Sequence, residues 1–341
     1  MPSTVCNDQF LDSCRQLGDN DADNLVEFCF ANEKQNDLYS AIKFSGNNQE
    51  FKHLEIFNFI PLVKNNLFLA IDTLDNLKLS KGTIFFQQYE REILFLLGSL
   101  SLPYCYAAAK GAKVLCFSDR IISNPEKRLS ETASFVMKVM EPDAFLSTGN
   151  GIVASIQVRL IHAMVRYHIR KSNKWVEFNE IPINQEDMAG TNLSFSLIIL
   201  RGLRKMGIRF TDAEAEAYLY LWSVVGRFTG VKSELLIPNR KFAFDLEKKI
   251  SERHFSVSSE GQLLTKSLVT YLTNSIPVKI VQSQQENIMF YLLGDKVSQI
   301  LGIKKTGNAI ISELLVSNVR QLISETELKR MKQQLLQMSF S

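Results

Sequence analysis

The chain has 341 residues, enough for one large domain or two small ones around a substantial core. At 45% apolar and 22% charged residues it has the composition of a soluble globular protein. Its net charge of +3 is too small to argue for a nucleic-acid or membrane-surface partner. Only 8 prolines and 16 glycines occur, which favours long helices over a many-stranded fold.

The N-terminal 25 residues are polar and rich in Asp and Asn, with no basic stretch and no apolar run of a secretory signal. Cytoplasmic localisation is the expectation. The five cysteines, Cys6, Cys14, Cys29, Cys105 and Cys116, form no CxxC pair, and their odd number fits a reduced, intracellular thiol set. Helix is expected over 25–44, and 53–62 is too aromatic and too broken to assign. Period-3.6 apolar faces predict helices over 67–77 and 84–97, separated at Lys81-Gly82. The longest uncharged run, 93–109, is short of a membrane-spanning length and contains Gly98 and Pro103; it reads as two buried helix pieces joined at Leu102-Pro103. A small-residue helix is expected over 104–117, and a further one over 125–140 with Pro125 at its first position.

The most informative stretch is 158–170, VRLIHAMVRYHIR. No Gly or Pro interrupts it, and Val158, Ile161, Val165 and Ile169 predict a core-facing stripe. Arg159 and Arg166 stand three before and four after His162, on one helix face with it. Two cations disfavour an imidazolium, but they suit a neutral metal-binding imidazole beside an anion. Haem combines an iron needing a nitrogen ligand with two propionates needing cations. The ordinary alternative is a hydrogen-bonded histidine at the edge of the core. His168 is six residues on, points to another face and reads as a surface residue.

Downstream, Asn184 is a candidate N-cap for a helix to about Met206, with Glu186 and Asp187 in its first turn and Gly207 after its end. Thr211-Asp212-Ala213-Glu214 predicts a capping box for a helix to Gly226. Amphipathic stretches follow at 242–254, 262–273, 286–301 and 309–323. A second capping box, 324–327, opens a charged C-terminal helix. There is no GxGxxG, P-loop, GxSxG or HExxH, and four scattered histidines make no zinc or multi-His iron pattern.

The middle of the chain resembles the latex-clearing-protein-like oxygenases, a family that includes the endoplasmic-reticulum-bound oxygenase of fungal mycophenolic acid biosynthesis. The resemblance runs over about 65–240. It rests on Arg128-Leu129 with Thr132, the Gly-rich loop before 151, Val158-Arg159-Leu160 with His162-Ala163 and Arg166, Trp175, and the unbroken run from Pro182 to Thr191. It implies an all-α fold: a large single helical domain with a globin-like haem-binding core at 65–240, an N-terminal extension at 1–64 and C-terminal helices at 241–341. It further implies haem b with His162 as the iron's axial ligand, Arg159 and Arg166 beside the propionates, and Arg128 and Thr132 near the pocket. The partners would be O2 and a small apolar, unsaturated substrate, with no nucleic acid and no integral membrane segment.

Two departures from the family pattern bear on chemistry. Glu131 stands where the rubber-cleaving members carry a Lys before the Thr, and it is the candidate catalytic acid or base; an exposed helix carboxylate is its ordinary alternative. The segment 110–113 holds no acid where those members carry a catalytic Glu, leaving Glu90, Glu92 and Asp119 as the nearest carboxylates. The resemblance therefore implies a haem-dependent oxygenase more directly than rubber cleavage, and a missing secretion signal argues against an external polymer substrate. A non-catalytic haem protein, either a gas or redox sensor or a haem carrier, is the alternative.

Overall fold

Helix signals of the kind described above dominate the chain, and helices account for nearly all regular structure among the described residues. In the computed structural model these are 7–68, 74–117, 125–275, 279–307 and 309–322, with 329 and 333. Their β-structure is a single isolated bridge between Ala108 and Phe255, so the fold is all-α. The chain opens with α1 (Asp8–Arg15), α2 (Asn20–Ala31), α3 (Gln35–Ile42) and α4 (Asn48–Lys52). The helix expected over 25–44 is thus two helices, broken where Glu33 takes a positive φ of 57°.

The expected break at Lys81-Gly82 is absent. One helix, Asn76–Gln88, runs through it, and the interruption falls at Tyr89, before Glu90–Leu96. Gly82 is there for closeness. A Cβ on it would lie 2.6 Å from the Ala217 carbonyl oxygen and 2.9 Å from Leu221 Cβ, so glycine lets two helix backbones approach. The uncharged run continues as a π-helical turn, Leu97–Ser101, and then Leu102–Tyr106, which places its joint before Leu102-Pro103. The expected helix over 104–117 is likewise interrupted, resuming at Ala109–Cys116.

Pro125–Val139 and the long Gly151–Lys171 helix, called here the central helix, follow expectation, although the latter begins seven residues before the stretch singled out above. Asn184 caps Gln185–Phe195 by accepting from the Asp187 N–H at 3.0 Å, and that helix gives way at Ser196 to Leu197–Lys205. The Thr211 box closes reciprocally, Thr211 N–H to Glu214 Oε2 at 2.7 Å and Glu214 N–H to Thr211 Oγ1 at 3.2 Å, and opens Asp212–Phe228. The C-terminal stretches form Arg240–His254, Ser259–Ser275, Gln285–Leu293, Asp295–Ile300 and Ala309–Ser317. The capping box at 324–327 and part of the helix expected over 67–77 lie outside the described residues, as does Cys6. Cys14, Cys29, Cys105 and Cys116 carry no disulfide.

The chain divides into two compact units, with every boundary inside a helix. One comprises Met1–Phe85, Phe135–Asn192 and Glu216–Phe242; its core includes Leu11, Phe51, Phe57, Leu160, Trp222 and Phe228. The other comprises Phe86–Ser134, Leu193–Ala215 and Ala243–Ser341; its core includes Leu96, Leu203, Leu268, Met289 and Val316. No helix among the described residues is long and apolar enough to cross a membrane.

In the first unit, Asn48 fixes the start of the central helix. Its Oδ1 accepts from the N–H groups of Ile152 and Val153, each at 3.1 Å, and its Nδ2 donates to the carbonyls of Ala144 and Leu146 at 2.8 and 2.6 Å. Asn150, the residue at the cap itself, makes no side-chain cap bond, so this distant residue satisfies donors that the helix cannot satisfy internally. Asn48→Ala is expected to lower the unfolding free energy by about 2 kcal/mol, the usual scale for a buried side chain whose partners are left unpaired. Urea denaturation checks this; an unchanged midpoint would contradict the assigned role.

Candidate functional site

The central helix buries Ile152, Ile156, Leu160 and Ala163, spaced i, i+4, i+8 and i+11. Of the predicted stripe only Ile169 is buried. Val158 and Val165 are half-buried and Ile161 is 37% exposed. The difference follows from the helix's true start: Ile152 and Ile156, outside the stretch first singled out, set the core face. That face lies against α2, which brings carboxylates with it.

Arg159 and Arg166 are buried at 8% and 1% exposure, and both are paired with α2. Arg159 meets Asp19 in a two-pronged contact, Nε to Oδ2 at 2.5 Å and Nη2 to Oδ1 at 2.7 Å, with Asp21 at 3.6 Å. Arg166 donates from Nε to Asp23 Oδ1 at 2.7 Å and from Nη1 to the Ile183 carbonyl at 3.1 Å. Burial pushes the Asp23 carboxyl above its ordinary pKa, against the opposing charge and hydrogen bond of Arg166. Both guanidinium groups thus face acids of the α2 segment, while Arg166 Nη2 is buried without a hydrogen-bond partner among the described residues.

A second ionic group adjoins the first. Arg15 grips Glu180 with Nε at 2.8 Å and Nη2 at 2.5 Å, and its Nη1 reaches Asp187 at 3.1 Å and Glu186 at 3.3 Å. Burial works against the Arg15 charge, but the Glu180 hydrogen bond and the surrounding carboxylates outweigh it and push its pKa up. Gln185 ties the segments together, donating to the carbonyls of Gly18 and Gly230 and accepting from the Lys232 N–H at 2.7 Å. Gly230, at a φ of +92°, leaves room for the first pair; a Cβ there would stand 2.2 Å from Asp19 Oδ2 and 2.9 Å from Arg159 Nε. The run from Pro182 to Thr191 is thus a capping and anchoring element. The acids Asp19, Asp21 and Asp23 were missed as site residues. The signal that finds them is two arginines on a helix face otherwise given to the core, which require buried acids elsewhere.

His162 stands apart from this network. It is half-buried, with Val158 and Val165 as well as Arg159 and Arg166 at the i±3 and i±4 positions around it. No group of three or more His, Cys, Asp and Glu poised to hold a metal ion occurs among the described residues, so His162 belongs to no multi-ligand cluster there. A single imidazole nitrogen fits one axial position of a porphyrin iron and does not fit a multi-ligand metal site. His168 is exposed, edge-on to Phe30 and Tyr167.

The remaining sequence candidates lie in the other unit. Thr132 is buried on Pro125–Val139, whereas Glu131 beside it is exposed. The Arg128 side chain and Asp119 lie outside the described residues. Of the alternative carboxylates, Glu92 is buried at 3% exposure and Glu90 is half-buried.

Comparison with known proteins gives consistent findings. The sequence model of the family described as ER-bound oxygenase mpaB/B'/rubber oxygenase, catalytic domain, matches residues 93–321. A rubber oxygenase from Streptomyces sp. (strain K30) is 28% identical over 181 residues, covering 52% of this chain and 44% of that protein's length. The structure of latex clearing protein in its closed state superposes with a TM-score of 0.75 at 21% identity, covering 95% of this chain and 90% of the other.

Asp19→Asn keeps the shape and the α2 cap but leaves the buried Arg159 cation with only Asp21, at 3.6 Å, as countercharge. It is expected to cost about 3 kcal/mol, and Arg159→Met in the same background is expected to restore part of that. A double-mutant cycle by chemical denaturation checks this; additive single and double effects would contradict a coupled buried pair.

Proposed function

The chain belongs to the family of ER-bound oxygenase mpaB/B'/rubber oxygenase catalytic domains, and we propose from that membership that it is a b-type haem-dependent oxygenase acting on an apolar, unsaturated small molecule or lipid. The observation that carries this reading is His162, a half-buried imidazole about 50° around the central helix from the buried Arg159–Asp19 and Arg166–Asp23 pairs that fix that helix. Bound haem would supply a redox-active iron at which O2 is activated against a carbon–carbon double bond.

The chain's own contributions are separable. His162 would hold the haem iron through its imidazole. Val158, Ile161 and Val165 offer an apolar surface that disfavours water around it. Arg159 and Arg166 act as positioning residues: by pairing with Asp19 and Asp23 they fix the rotation of the central helix, and with it the direction of His162. Thr132 is the buried hydroxyl assigned to the pocket, with Arg128 on the same helix. Glu131 remains assigned as the candidate acid or base. Its exposure also favours a second reading, a non-catalytic haem protein that senses a gas or redox state or carries haem.

Oxygen uptake by the haem-loaded protein with an unsaturated terpenoid tests the function. Uptake with carbonyl products is expected, falling at least about 100-fold in His162→Ala. Haem binding without substrate-dependent uptake across unsaturated lipids and terpenoids would contradict the oxygenase and leave the sensor or carrier. Glu131→Gln assigns the acid: a loss of more than about tenfold supports general acid–base work by Glu131, whereas unchanged uptake removes it from the site.

A further inference from the structure

The second unit contains a cavity of about 330 Å3. Its polar floor is Glu247, 5% exposed. One Glu247 oxygen accepts from the Tyr104 hydroxyl, and the other meets Arg201 Nη2 at 2.5 Å. Burial and the facing Glu247 carboxylate push the Tyr104 phenol well up, so it stays a neutral donor. With both oxygens engaged, Glu247 holds Arg201 and the Tyr104 hydroxyl in place.

The rest of the lining is cationic and aromatic. Lys248 and Lys296 stand at the rim, both exposed. Lys248 reaches Glu252 only at 4.0 Å, an exposed contact worth little. Arg201 lies over the Phe244 ring at 5.3 Å from its centre, and Phe255 stands edge-on to Tyr104 at 4.8 Å. Arg201 and Glu247 neutralise each other, so Lys248 and Lys296 leave the lining with a net positive charge beside Phe244 and Phe255. The volume is at the lower end of small-ligand sites.

We propose that this cavity binds a small amphipathic anion, its carboxylate head held by Arg201, Lys248 and Lys296 and its apolar portion seated against Phe244 and Phe255. The proposal does not depend on haem, since every residue it uses lies outside the central helix.

Calorimetric titration of the full chain with dodecanoate tests it, with acetate and dodecyltrimethylammonium as the head-only and charge-reversed probes. Dodecanoate is expected to bind, and the two controls at least about tenfold more weakly. The double variant Lys248→Glu, Lys296→Glu changes only exposed side chains, so its helical circular dichroism should match wild type while its dodecanoate affinity falls at least about tenfold. Phe244→Ala should weaken dodecanoate as well. No dodecanoate binding, equal binding of the ammonium probe or of acetate, or an unchanged affinity in the double variant would each overturn the proposal.

Discussion

The pairing of Arg159 with Asp19 and of Arg166 with Asp23 is the constraint on which the rest of the first unit depends. Arg159 and Arg166 are seven residues apart, nearly two full turns, and so form one line along the central helix. Engaging both with successive turns of α2 fixes the helix in rotation as well as in place. His162 lies roughly 50° around the helix from that line. The side chain is therefore presented beside the core, half-buried, with Val158, Ile161 and Val165 around it. Buried ion pairs contribute little net stability because both charges lose their water, but breaking one is costly. Their contribution here is orientation: they fix the rotation of the central helix.

The same economy recurs around the network. Asn48 supplies in one side chain the cap that Asn150 does not, holding the 144–151 segment and the helix start together. Gln185 uses both ends of its amide to join the backbone at Gly18, Gly230 and Lys232. Gly230 keeps clear the space that Asp19 and Arg159 fill. Arg159 and Arg166 are thus engaged by the scaffold through Asp19 and Asp23.

Much of the fold was legible because its signals are local. Asn184, Thr211 with Glu214, and Pro125 announce helix starts through chemistry within three or four residues, and each does so in the structure. What was not legible depends on contacts across long stretches of chain. Gly82 reads as a breaker until Ala217 is seen against it. The interruptions at Tyr89 and Ser196 carry no Gly or Pro. The arginines flanking His162 invite a cofactor reading because their acids are 140 and 143 positions away. Placing His162 itself needed only helix periodicity, whereas deciding what the arginines hold needed the tertiary structure.

The most direct test of the central claim is the ultraviolet–visible spectrum of the purified protein, as isolated and after haem addition, beside His162→Ala and His168→Ala. The account predicts a Soret band in the wild-type protein, retained in His168→Ala and lost or displaced in His162→Ala. Absence of haem binding in the wild type would contradict both haem readings together. An unchanged band in His162→Ala would contradict the ligand assignment while leaving the family membership intact.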